Sequence, residues 1–133
     1  MSDKSVFPNF LRTITSSAFE GIIYAELCAN LGLKTVGVVI DTSDESSRLY
    51  TQPTADAFTY AVKANGNLQL AYTDKIQDAE TREAVITRMV PRLLASGVRV
   101  MYGAIYLLEG RDLFLLLVCQ THKQLVQHMG PEH

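Results

Sequence analysis

Apolar residues recur at helical spacing through Leu11, Ile14, Ala18, Ile22, Ala25 and Ala29. The run then ends at Gly32, and apolar positions become nearly continuous from Val36 to Ile40. This change of period predicts a helix over 10–31 feeding a strand over 35–41. The same passage occurs twice more, from Ala61-Val62-Lys63-Ala64-Asn65-Gly66 into Leu68 to Tyr72, and from Leu93-Leu94-Ala95-Ser96-Gly97 into Val98 to Leu107. Glycine just past a helix end adopts a left-handed backbone without a Cβ clash, so each joint reads as a helix C-cap leading to a strand.

Between the joints the pattern is less uniform. Thr42 to Ser47 is a turn-rich stretch, and Arg48-Leu49-Tyr50-Thr51 fits a short returning strand. Over 54–73, Phe58, Tyr60 and Val62 alternate towards Asn65-Gly66, and Leu68, Leu70 and Tyr72 alternate away from it, as in a hairpin. A two-residue loop would set the apolar faces of that hairpin against each other. Four alanines, Thr54 as N-cap after Pro53, and the stripe Ala57, Phe58, Ala61, Val62 favour a helix instead. A strand over 67–73 follows. Val85, Ile86, Met89, Val90, Leu93 and Leu94 predict a helix over 78–96, which Pro91 should kink or split. Val98 to Leu108 and Arg111 to Gln120 flank Glu109-Gly110 and read as a closing hairpin covered on both faces, before a short helix over 122–129. With that hairpin in place, the three glycine joints deliver strands into one antiparallel sheet.

The length of 133 residues suits a single domain, 1–133, with a core of its own. A net charge of -2 leaves no broad basic surface, so nucleic acid is not an expected partner. The longest apolar stretch, Leu113 to Cys119, falls far short of the roughly 20 residues that span a bilayer, so no membrane association is expected. Cys28 and Cys119 form no CxxC pair, and no basic start leads into an apolar core of signal-peptide length; a cytoplasmic location is the expectation.

From Asn67 to His122 the chain resembles the GAF domain, a family of small sensory modules. The resemblance lies in Leu68-Gln69-Leu70-Ala71-Tyr72-Thr73-Asp74, a polar turn and helix, Ser96-Gly97-Val98-Arg99 opening a strand, and the Ile105 to Cys119 hairpin. The helix into Val36-Gly37-Val38-Val39-Ile40-Asp41 is similar to that family's opening, so the match covers residues 16 to 122. It implies an α+β fold, a GAF-like central antiparallel β-sheet flanked by helices. It also implies a ligand pocket under the middle helices and dimerisation through terminal helices. The very short C-terminal helix and brief connecting loop imply a small pocket.

Few residues suggest a reaction. Cys119 and His122, with His128, lack the further ligands or the base and oxyanion site that metal or thiolate chemistry needs. Cys28 falls near a helix C-terminus, where the dipole disfavours a thiolate. Asp41, Asp44 and Glu45 fit a solvated turn better than a cation site. No catalytic residue and no metal site is therefore assigned, and the cofactor is unknown. The candidate ligand-binding set is aromatic and charged. Tyr102 and Tyr106 share a strand face with small Ala104, Tyr72 lies on a neighbouring strand, and Asp74 follows it. Arg88 and Arg92, four apart on a helix, are placed to hold an anionic group.

The expected function is a stand-alone, non-catalytic sensory or regulatory module. It would bind a small molecule or a protein partner and form a homodimer through the helix of residues 10–31. A second reading is a dimeric type III secretion chaperone, which requires residues 57–73 to form a hairpin. A third is a doubly wound α/β enzyme using Asp41, Asp74 and His122 at strand ends.

Overall fold

A computed structural model describes residues 5, 6, 8, 9, 11, 16–106 and 108–129. Four helices and three strands alternate: α1 (Ser17–Asn30), β1 (Thr35–Asp41), α2 (Glu45–Ala64), β2 (Gln69–Ile76), α3 (Arg82–Ser96), β3 (Met101–Ala104) and α4 (Leu108–Met129). The sheet has the order β2-β1-β3, and both pairings are parallel. The protein is thus an α/β fold, and the antiparallel sheet expected from the sequence is not formed.

The error lies in the chain after residue 105. Arg111 to Gln120 is not a returning strand but the body of α4, so no closing hairpin exists. A continuous apolar run such as Leu113 to Val118 has no period of its own to separate a buried strand from a helix. In the structure the run itself shows the helical period, with Leu113 and Leu117 buried while Leu115 and Leu116 are exposed. The short helix expected over 122–129 is the end of α4.

Two further expectations change. Arg48 to Thr51 opens α2 and is not a strand, because Asp44 caps that helix by accepting from the Ser47 N–H at 2.8 Å. Thr54 is accordingly inside the helix and donates to the carbonyls of Ser17 and Tyr50. The preference for helix over 54–64 agrees with α2, and since β2 pairs with β1, residues 57–73 do not form the hairpin that the chaperone reading needs. Pro91 lies inside α3 without dividing it. The part of the first helix expected before Ser16 lies largely outside the described residues.

Both faces of β1 are covered. Val36, Val38 and Ile40 pack with α1 and α2, joined by Phe58, Val62 and Ala104. Val39 points the other way into a second cluster with Tyr72, α3 residues Val85, Met89 and Leu93, and α4 residues Leu113 and Leu117. A register shift between Val36 and Gly37 lets Ala71 bulge, which turns Leu70 to the first face and Tyr72 to the second. Against α2, α1 uses its smallest residues. Gly21 and Ala25 are buried, and a Cβ on Gly21 would collide with the Thr54 carbonyl and the Phe58 amide.

The two parallel crossovers therefore run in opposite directions across the sheet. The β1-α2-β2 unit runs to one side, and α3 carries the chain back over the other face to β3 beyond β1. The carboxyl ends of β1 and β3 flank the resulting switch point, which is where open α/β sheets bind ligands.

Candidate functional site

The structure separates the seven residues of the sequence-derived set into three places. Tyr72, Asp74, Arg88 and Arg92 do come together, on the α3 side of the edge strand β2. Asp74 is nearly buried and accepts from Arg88 Nη1 at 2.6 Å, Arg92 Nη1 at 2.7 Å, the Tyr72 hydroxyl at 3.1 Å and the Lys75 amide at 2.8 Å. Arg88 also donates to Glu80 at 2.6 Å and to the Lys75 carbonyl. Burial pulls the Asp74 carboxyl up, but the Lys75 amide and the Arg88 and Tyr72 hydrogen bonds outweigh it and hold the acid below its ordinary range. Glu80 is likewise held low, the Arg88 hydrogen bonds overcoming partial burial. Burial and then the Asp74 charge push the Tyr72 hydroxyl well up. Arg88 spends its fork on Asp74, Glu80 and the Lys75 carbonyl, and Arg92 adds one ion pair to Asp74, so the cluster braces β2 against α3.

Tyr102 and Ala104 face the opposite side of the sheet. Tyr102 lies between Tyr24 and Phe58, each at a ring-centroid distance of 4.9 Å, and burial followed by the nearby Glu20 charge pushes its hydroxyl up to about 12. Ala104 is buried among α1 and α2 side chains. Tyr106 alone reaches the switch point. It follows β3 and stacks flat on Tyr50 of α2.

The carboxyl edge of the sheet holds what the sequence reading passed over. Asp41 ends β1 and is completely buried. Its Oδ1 accepts from the Ser43 hydroxyl at 2.6 Å and the Ser43 amide at 3.1 Å, and its carbonyl accepts from the Thr51 hydroxyl at 2.7 Å. Oδ2 is buried without a hydrogen-bond partner among the described residues. Above it runs the first turn of α4, where a Cβ on Gly110 would collide with Oδ2, so any larger residue there forces the carboxylate or the helix start to shift. Leaving a buried acceptor unsatisfied costs about 1–3 kcal/mol, so such a group calls for an explanation, a bound partner being one. Asp41 was weighed in the sequence as part of a solvated turn and as a strand-end acid. The signal available was its place at the end of an all-buried strand, directly before Thr42-Ser43-Asp44.

Of the other strand-end candidates, Asp74 lies within β2 and His122 is exposed on α4. Cys119, expected on a strand face, is exposed on α4, and Cys28 is half-buried, with burial pushing its thiol up against its own backbone hydrogen bond. Among the described residues no group of three or more His, Cys, Asp or Glu side chains is placed to hold a metal ion. No described helix is long and apolar enough to cross a membrane.

No protein-family model matches the chain, and no curated protein matches it in sequence. Among solved structures, it is similar to a protein from Rhodospirillum rubrum assigned as a branched-chain amino acid ABC transporter, with a TM-score of 0.58 and 22% identity. The match covers 71% of this chain and 25% of that one, so the chain corresponds to about a quarter of its structural neighbour. At that identity the likeness concerns the fold.

Proposed function

We propose that this chain is a non-catalytic binding module that holds a small polar ligand at the carboxyl end of its sheet, with Asp41 as the anchor. The observation that carries this reading is the orphaned Oδ2, a buried acceptor at the topological switch point with no donor among the described residues. The group it would accept from is an ammonium or hydroxyl of the ligand. Tyr50 and Tyr106, which stack beside the same edge, supply aromatic surface for the ligand's apolar part. The first turn of α4 covers Asp41, so entry requires that turn to lift. The name of the structural neighbour supports starting from amino acids, whose α-ammonium matches the anchor and whose aliphatic side chain matches the aromatic wall.

The test is thermal shift followed by calorimetry with the standard amino acids and small alkylamines. A ligand should raise the melting temperature of the wild type, and the shift should vanish in Asp41→Asn and persist in Arg92→Met, which alters only the β2–α3 brace. Silence across the set, or an equal response from Asp41→Asn, overturns the reading.

A further inference from the structure

We infer that a second copy of this chain docks on the open edge of β3, joining two three-stranded sheets into one continuous six-stranded sheet. This surface is separate from the Asp41 site, and neither proposal depends on the other. Its first component is the strand itself. The Val100 carbonyl accepts from Gly37, so in a parallel pair Val100, Tyr102 and Ala104 direct their backbone groups to β1. Met101 and Gly103 then direct theirs outward, where no described strand lies. No charged residue or proline interrupts the chain from Val100 to Leu108, so this edge lacks the usual devices that discourage pairing.

The second component is the pair of helices flanking that edge. On one face α1 lies over β3, with Tyr24 against Tyr102, and its side opposite the α2 contact carries Phe19, Ile23 and Leu27 at intervals of four. On the other face α4 lies over β3, with Phe114 against Gly103, and turns Leu115 and Val118 away from the side that meets α3. Away from the grooves these helices form with α2 and α3, Phe19, Ile23 and Leu27 on α1 and Leu115 and Val118 on α4 are 41–60% exposed. Rows of exposed apolar side chains flanking a bare strand mark an interaction surface.

A bare strand edge between two apolar helices calls for a partner of the same layered build, and a two-fold axis normal to the sheet supplies one. It sets β3 antiparallel to its copy, α1 beside α1 and α4 beside α4. The homodimer expected from the first helix would thus be a sheet-centred dimer in which that helix is one of three contacts.

Sedimentation equilibrium and hydrogen exchange test this on the full chain. A dimer should form at micromolar concentration, and the Met101 and Gly103 amides should gain protection as concentration rises. Ile23→Glu and Leu115→Lys should each weaken dimerisation at least tenfold with circular dichroism unchanged, while Tyr60→Glu, on exposed α2 surface, should not. A strict monomer at hundreds of micromolar overturns the inference. So does a dimer whose β3 amides stay unprotected, because it docks through helices alone, and so does an open-ended assembly, which lacks the two-fold axis.

Discussion

The ring of Tyr50 lies flat against that of Tyr106, with centroids 4.3 Å apart and planes within 4° of parallel. One ring belongs to the opening turns of α2 and the other to the segment between β3 and α4, so the stack ties that helix to that segment beside the switch point. Both rings are about half exposed, which leaves their outer surfaces open beside Asp41. Replacing either by leucine should cost about 0.5–1.5 kcal/mol, and the double variant little more than either single one, since the stack is lost once. Urea denaturation of the four proteins measures the coupling, and near-ultraviolet circular dichroism should lose the same signal in all three variants.

Gly110 gives a sharper test of how α4 begins. A methyl group there would meet Asp41 Oδ2, and neither the carboxylate, fixed by Ser43, nor the helix start can yield without moving the other. Gly110→Ala should therefore destabilise the protein by about 1–3 kcal/mol, even though alanine is intrinsically the better helix former by about 1 kcal/mol. Asp41→Asn, which removes the charge but keeps the Ser43 acceptor, should be neutral or stabilising. If Gly110→Ala proves more stable than the wild type, the first turn of α4 does not rest on Asp41.

These two glycine and aspartate positions also mark where the sequence ceased to be legible. The helix-to-strand joints at Gly32 and Gly97 were readable because a left-handed cap demands glycine, and both residues do have positive φ. So was the helical preference over 54–64, where alanines and a spaced stripe agree. The sheet's direction was not, because it hung on whether Leu113 to Val118 was strand or helix, and both bury a run of leucines. Glu109-Gly110 looked like a turn between strands, since glycine's use against Asp41 depends on a contact 69 positions away in sequence. Arg88, Arg92, Asp74 and Tyr72 do lie together, but their mutual pairing was not visible. Only the three-dimensional structure shows Arg88 paired with Asp74 and Glu80, and Arg92 with Asp74.

The two arginines of that brace should not be equivalent. Arg88 holds Asp74, Glu80 and the Lys75 carbonyl at once and is the more buried, whereas Arg92 makes one ion pair and is 57% exposed at its side chain. Removing Arg88 takes one charged donor from the nearly buried Asp74 and the charged donors that hold Glu80, so Arg88→Met should cost about 2–4 kcal/mol. Arg92→Met should cost under about 1 kcal/mol, as expected for an exposed pair. Equal losses in chemical denaturation would mean that the brace does not run through Arg88.

The same brace sets the response to pH, with opposite signs at the two ends of the scale. Asp74 and Glu80 are held below their ordinary ranges in the folded state, so the unfolded chain binds the more protons there. The stability they contribute is full above the unfolded values near pH 4 and is lost as pH falls below them through the folded values. Tyr72 and Tyr102 are shifted the other way, Tyr102 to about 12. Their contribution is full below the unfolded value of about 10 and declines as pH rises from there through the folded values. Cys28, its thiol pushed up by burial, starts the alkaline decline from its unfolded value near about 8.5, so denaturation free energy should form a plateau between about pH 5 and 8. Arg88→Met should shrink the acid slope while leaving the alkaline descent in place, because Tyr102 lies on the other face of the sheet. Ultraviolet titration near 295 nm reports the tyrosines directly: two of the six should ionise only above the ordinary range, Tyr102 near pH 12. A protein whose tyrosines all titrate together near pH 10 would not have Tyr72 and Tyr102 packed as described.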